Sequence, residues 1–566
     1  MLSRFVSPAQ SLLRKTLRSP VVLPVLAVLL AASTVHLAMS TEAPKTRALE
    51  MTVFQPAKQR PEAPDLVGGT AWLNSEKPIK LADLKGRIVV LDFWTLCCIN
   101  CIHTLPDLAQ IEARYPGMVV VIGVHSPKFE NEKKTESIMK AILRYDIKHP
   151  VVNDADHKIW KSYGVNSWPT LVLIDPDGNY YGAAPGEGNL DLVELHIKKL
   201  IKEYEGKGTL KKTPFEFKLA KEKATSPLFF PGKVLADAES KRIFIADSTN
   251  NRIVITNLEG KKIAVAGTGK EGMKDGKFSA ATFSDPQGMA LDGETLYVAD
   301  RKNHSIRALN LKDETVRIVA GTGEQNRFGR NGMAGKSLII GLNSPWDLLL
   351  HEKKLYVAMA GFHQIWLFDP AKEHVGNYAG TGREAVVDGP LLQSELAQPS
   401  GLATDGKRLF VADSESSTIR AMPLLGGKGN VTTVVGESGR DTHLFHFGDK
   451  DGTGREVRLQ HALGVAYLDG KLYVADTYNS KIKLIDPVKQ TCETYLGDPA
   501  GWLKEKMFNE PGGVTISGGK MYVADTNNHR IQIVDMKTKQ VSTLALQGVD
   551  PVRRDEVVSA KDKKKD

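Results

Sequence analysis

Residues 90–101 read VLDFWTLCCINC. An uninterrupted apolar run, Ile88 to Trp94, carries one acid, Asp92, and ends at three of the chain's four cysteines: Cys97, Cys98 and Cys101. Such a run reads as a strand buried on both faces, and a helical stretch follows from about Ile99 to Tyr115. Cys98 therefore stands where a strand gives way to a helix. Unpaired N–H groups and a partial positive charge gather there, and both favour a thiolate, the attacking form of the side chain. Cys101 lies one helical turn further in, placed to close a disulfide with Cys98 and resolve an attack made by it. A structural zinc site needs four ligands. The chain has no second Cys-x-x-Cys pair, and His103 and His125 lack ligand-like spacing, so no metal is expected.

Working outward, strands and helices alternate through residues 61–208. MVVVIGVH (118–125) is a second buried strand, residues 131–146 an amphipathic helix, TLVLIDPDGNYYGAA (170–184) two strands about a Pro-Asp-Gly turn, and residues 190–205 a closing helix. This is a compact α/β domain. Residues 209–226 are lysine-rich and read as a linker.

From 227 to 547 a different pattern repeats. A strand ending in Ala-Asp recurs with Asp247, Asp300, Asp413, Asp476 and Asp525, and a further copy carries Met359 in that place. Twelve residues earlier stands a glycine, Gly288, Gly401, Gly464 or Gly513, in a Pro-x-Gly mark in every one of these copies but that of Gly464, which has Ala462 in the proline's place; the Met359 copy has Asp347 there, and the first copy, with Pro231, Gly232 and Lys233, does not fit the spacing. Each unit offers four short strands, so six units make a six-bladed all-β propeller. The Met359 unit lacks both marks and reads as a specialised face. The repeat aspartates read as acceptors for backbone groups at strand ends, and Cys492 as a small buried apolar residue. GTGKEG (267–272) matches a dinucleotide fingerprint, but AGTG recurs at blade ends with no helix behind it. No cofactor is expected.

The net charge of +9 lies almost wholly outside these domains: four cations and no acid in residues 1–40, seven lysines against four glutamates in 201–224, six cations against four acids in 552–566. No basic groove remains for nucleic acid. Residues 1–40, basic up to Arg18 and then apolar from Val21 to Met39, read as a signal peptide or membrane anchor. With the basic end inside, export is expected, soluble in the periplasm or anchored on the periplasmic side of the inner membrane. Residues 41–60 read as a tether and 548–566 as a basic disordered tail.

The segment around the cysteines resembles the thioredoxin active site. Asp92 falls six residues before Cys98, Phe93 and Trp94 form the aromatic pair, Pro106 follows five after Cys101, and SWPTLVLID supplies Pro169. The resemblance implies Cys98 as nucleophile, Cys101 as resolving thiol, Asp92 as buried proton acceptor, and a cis Pro169 that with Trp168 and Trp94 contacts an extended substrate. The sequence departs from that family at Cys97, where tryptophan is usual, and in Ile-Asn between the cysteines. Cys97 is either a third redox sulfur or a buried neighbour. Joined to six repeats, four of which read Ala-Asp-x-x-Asn, the whole resembles the NHL repeat-containing protein 2 family without its small C-terminal β domain. The expected activity is thiol–disulfide exchange with protein dithiols or disulfides, the propeller docking the client or another protein partner. The competing expectation is a non-catalytic scaffold that acts through the propeller.

Overall fold

The computed structural model describes residues 60–220, 226–329, 331–440, 442–498 and 507–552, together with Phe54. The expected signal or anchor (1–40) lies outside them, as do nearly all of the tether and most of the tail. Among the described residues no helix is long and apolar enough to cross a membrane.

The first domain is a six-stranded sheet in the order β1-β4-β3-β2-β5-β6, with β1 Ala71–Leu73, β2 Ile88–Trp94, β3 Val119–His125, β4 Val151–Asn153, β5 Thr170–Ile174 and β6 Tyr180–Pro185. β2, buried at every position, runs parallel to β3 and antiparallel to β5. α1 (Ile99–Arg114) and α4 (Leu190–Lys207) pack Leu108, Ile111, Val193, Ile197 and Leu200 on one face; α2 (Thr135–Tyr145) packs Ile138, Ala141 and Ile142 on the other, and the short α3 (Lys158–Ser162) precedes β5. The residues read as a linker run back along this domain as far as 220. Lys211 donates its N–H to Gly86 O at 2.7 Å and Ala220 its N–H to Asn74 Oδ1 at 2.7 Å.

The six sheets that follow are the blades, each built from consecutive strands. The innermost strand of every blade neighbours the innermost strand of the next, and the last blade returns to the first. The third residue of the Pro-x-Gly mark faces this axis. The axis is narrow: a Cβ on Gly464 would stand 3.0 Å from Gly513 Cα, and one on Gly401 2.8 Å from Leu463 O. Lys233 occupies the same place in blade one. It missed the expected spacing because its hairpin, Asp237 to Arg242, is longer by two residues than the Asp292 to Thr295 turn of blade two. Its ammonium crosses the axis to Asp347 Oδ2 (3.4 Å), Ser400 O (2.8 Å) and Leu463 O (2.5 Å). The two odd residues of the repeat are thus a buried ion pair.

The repeat aspartates do as expected. Asp300 Oδ1 accepts Ser284 N–H and Asp413 Oδ1 accepts Ala397 N–H, both at 2.8 Å, while their Oδ2 atoms pair with Arg307 (2.9 Å) and Arg420 (3.2 Å). In blade three, Met359 and Trp366 stand in these two places, both 0 % exposed. Acid and base were exchanged together for an apolar pair, an exchange that costs little in a core. At these two positions blade three has apolar packing in place of a charge pair.

Neighbouring blades are stitched by one recurrent bond. Phe230, Asp285, Ser344, Gln398, His461 and Glu510 each hold a left-handed backbone, with φ of 48, 54, 49, 60, 53 and 51°. Each donates its N–H to a side chain of the preceding blade, itself on a left-handed residue: His529 (3.0 Å), Asn251 (2.9 Å), His304 (3.0 Å), His363 (3.1 Å), Ser417 (3.2 Å) and Ser480 (3.4 Å). The first bond joins blade six to blade one. There the chain adds Thr526 Oγ1 to Pro231 O (2.9 Å), and Lys262 N–H to Gln547 O (3.0 Å).

Asp300→Ala leaves the Arg307 guanidinium, 0 % exposed, without its buried partner and with only the more exposed Asp275, at 2.6 Å, as a counter-charge. The expected loss is about 3 kcal/mol, read as a lower urea midpoint; an unchanged midpoint contradicts this account of the repeat.

Candidate functional site

Cys98 is the N-cap of α1. Its Sγ accepts the Cys101 N–H at 3.3 Å and its carbonyl accepts Ile102 N–H at 3.1 Å. Of the three clustered cysteines it alone is half-buried; Cys97 and Cys101 are buried, and all four cysteines of the chain are free thiols. Burial, then the neighbouring Cys98 and Asp92, hold the Cys101 thiol well above its ordinary range.

Asp92 lies in the centre of β2, 0 % exposed, and neither carboxylate oxygen has a hydrogen-bond partner. Desolvation pushes it up to about 7, against a smaller opposing pull from His149. A carboxyl that titrates near neutrality beside a protonated thiol is suited to take its proton.

The Trp168–Pro169 peptide is cis. Trp168 is half-buried, its ring 4.7 Å from that of Trp160, at the rim of the apolar cluster that Cys98 also borders. Trp94 does not share this surface. It is 1 % exposed and packs edge-on against His125 at 4.9 Å. The substrate contact expected of it is lost, because β2 points that ring into the core.

Cys97 has the geometry of a buried neighbour. Its N–H is bound by Glu132 Oε1 at 2.8 Å, and burial beside Glu132 and Glu415 holds its thiol well above the ordinary range. Glu132, itself buried, also accepts Thr95 Oγ1 (2.7 Å) and the N–H groups of Lys128 (2.8 Å) and Phe129 (2.9 Å). One carboxylate thereby gathers the loop ahead of the cysteines.

The left-handed residues of the propeller face this site. Gln398 bonds Ile99 N–H and Cys97 O; Ser344 Oγ meets His103 Nε2 at 2.7 Å; His461 packs on Phe129 at 5.4 Å; Glu510 binds Arg144 (3.0 Å) and Asn131 (2.9 Å); Phe230 lies 5.3 Å under the Arg144 guanidinium. Lys128 and Glu415 form a buried ion pair across the same boundary, with side chains 5 % and 4 % exposed, and Ile99 packs with Trp346 and Ala360. None of these propeller residues stood out in the sequence. The nearest signal is that Phe230, Asp285, Ser344, Gln398 and Glu510 each precede the proline of the mark. Among the described residues no His, Cys, Asp and Glu cluster suits a metal ion.

Comparison with known proteins agrees with both halves. Residues 86–180 match the thioredoxin-like family, and residues 283–309 and 508–534 match the NHL repeat. NHL repeat-containing protein 2 of Homo sapiens is 42% identical over 462 residues, 76% of this chain and 63% of that protein. The chain is a homologue of NHL repeat-containing protein 2. Protein SUPPRESSOR OF QUENCHING 1, chloroplastic, of Arabidopsis thaliana is also 42% identical, over 78% of this chain and 42% of that protein. The chain therefore spans 42% and 63% of the lengths of these two relatives. The thioredoxin-like part of this NHL repeat-containing protein 2 homologue is also related to thiol-disulfide oxidoreductase ResA of Bacillus thuringiensis subsp. konkukian, 32% identical over 22% of this chain and 69% of that protein.

Asp92 also sets a pH dependence. Its carboxyl holds a proton in the folded chain up to about 7, where the unfolded chain has already released it. Stability therefore falls as pH rises from about 4 to about 7 and is level above. The total is on the order of 4 kcal/mol for a group raised to about 7. Asp92→Asn removes this penalty. In urea titrations it should unfold later than the wild type at pH 8 and together with it near pH 4; equal stability at both pH values contradicts the burial account.

Proposed function

We propose that this protein is a thiol–disulfide oxidoreductase whose working pair is Cys98 and Cys101. The observation that carries the reading is the stack of three groups at the start of α1: a half-exposed sulfur on the helix N-cap, a buried protonated thiol one turn in, and an unpartnered carboxyl that titrates near 7. The relationship to a named thiol-disulfide oxidoreductase supports it.

In the reductive direction the Cys98 thiolate attacks one sulfur of a client disulfide. The client S–S bond breaks, a mixed disulfide to Cys98 forms, and the leaving thiolate takes a proton from solvent. Asp92 then accepts the Cys101 proton. The Cys101 thiolate attacks Cys98 Sγ, the mixed disulfide breaks, and the second client sulfur leaves and is protonated. Two electrons pass from the enzyme dithiol to the client, and the Cys98–Cys101 disulfide remains. The oxidative direction is the reverse. The client lies along Trp168 and Pro169, beside Cys98.

The expected role of the propeller changes on this reading. Its left-handed residues are engaged by the thioredoxin-like domain, so a platform for a client or other protein partner falls to its outer edges or the opposite mouth. The basic and then apolar residues 1–40 support export, with the dithiol on the periplasmic side.

Cys98→Ser should abolish the acceleration by the protein of insulin reduction by dithiothreitol, and Cys101→Ser should accumulate mixed disulfides visible on non-reducing gels. Asp92→Asn should slow the reaction at pH 7 at least tenfold. Wild-type protein that neither reduces insulin or glutathione disulfide nor oxidises reduced glutathione or a protein dithiol sinks the proposal.

A further inference from the structure

We infer that the propeller supplies part of the redox site itself: Gln398 is a positioning residue for Cys98. This rests on the reading of Cys98 and Cys101 as the working pair. Gln398 is 1 % exposed. Its Oε1 accepts the Ile99 N–H at 2.9 Å and its Nε2 donates to the Cys97 carbonyl at 3.0 Å. These two groups belong to the peptide units on either side of Cys98. One primary amide from blade four thus clasps both peptides of the nucleophile, as a neighbouring strand would.

The clasp has consequences that simple domain docking lacks. Cys98 must keep an extended backbone, φ −76° and ψ 115°, for its sulfur to accept the Cys101 N–H. The peptides that set this conformation carry no intradomain bond from the Cys97 carbonyl or the Ile99 N–H among the hydrogen bonds of the described residues. Gln398 is held in turn. Its own N–H is bound to His363 Nδ1 at 3.1 Å, its backbone is left-handed, and its Nε2 also reaches Ser414 Oγ at 3.4 Å. A rigid ring therefore fixes the amide, and the amide fixes the cap. A loose cap lets the attacking sulfur wander from its line of approach, and misplacement of that kind lowers turnover more than binding.

Charge provides the second handle. The Gln398 oxygen sits one peptide from Cys98 in a dry interface. A carboxylate in its place opposes a thiolate at Cys98. It destabilises the dithiol state relative to the disulfide and moves the exchange equilibrium.

Three variants of the full chain test this: Gln398→Ala, Gln398→Glu and Asn131→Ala. The last removes a bond to Glu510 across the same boundary, away from the cysteines. The readouts are insulin reduction and the Cys98–Cys101 equilibrium in glutathione buffers, scored by mass after alkylation. Gln398→Ala should lower kcat about tenfold with KM within twofold of wild type. Gln398→Glu should favour the disulfide about tenfold, equivalent to about 30 mV for a two-electron couple. Asn131→Ala should match wild type in both. If Gln398→Ala and Gln398→Glu behave as Asn131→Ala does, Gln398 only docks the domains and the inference is overturned. If the wild type fails to reduce insulin yet Gln398→Glu still shifts the glutathione equilibrium, the positioning role stands and the catalytic reading falls. A Gln398→Glu chain that does not fold leaves Gln398→Ala to decide the matter by its kcat against KM.

Discussion

Six amide hydrogen bonds, each between a left-handed residue of one blade and a left-handed residue of the blade before it, hold the ring together. Left-handed backbone at a residue other than glycine is unfavourable by about 1–2 kcal/mol, so twelve such positions persist only because the closed ring satisfies them all. The same backbone turns six side chains out of the blades and onto one face. Ring closure and the docking surface for the thioredoxin-like domain are consequently one device. A residue such as Gln398 is aimed by a bond whose primary effect is to join blade four to blade three.

That constraint reaches the chemistry. The thioredoxin-like sheet brings its own gradient of burial: Cys98 at the rim, Cys101 behind it, Asp92 unsolvated beneath. The propeller adds a wall on the Cys97 and Ile99 side. The buried Lys128–Glu415 pair and the Glu132 carboxylate keep the loop ahead of the cysteines in register with that wall. A charge pair taken out of water is expensive unless its geometry is set.

Much of this was readable from the amino acids. The strand-to-helix step at Cys98, the Asp92 and Pro106 offsets and the Ala-Asp repeat are local patterns, and local patterns survive in a linear string. Lys233 escaped because a hairpin two residues longer moved it out of phase, although it stands in the same layer as Gly288 and Gly401. Trp94 was misread because spacing from the cysteines does not say how deep a strand position lies, and β2 is buried on both faces along its whole length. Gln398 was invisible. Its partners lie about three hundred residues away, and glutamine before proline carries no chemical signature. Interdomain contacts are set by the mutual fit of two finished surfaces.

One property of the blades has a mechanical consequence. All four strands of blade one come from residues 233–266, and those of blade six from residues 511–543; no sheet is shared between the beginning and the end of the ring. The seam between them is side-chain and single-bridge contact alone. Under tension, or on heating, the circle can part at this seam with every sheet intact and unroll as a spiral of whole blades. The clasp on Cys98 is carried by blade four, whereas Arg144 of the thioredoxin-like domain bridges the seam itself, bonding Glu510 on one side and stacking on Phe230 on the other.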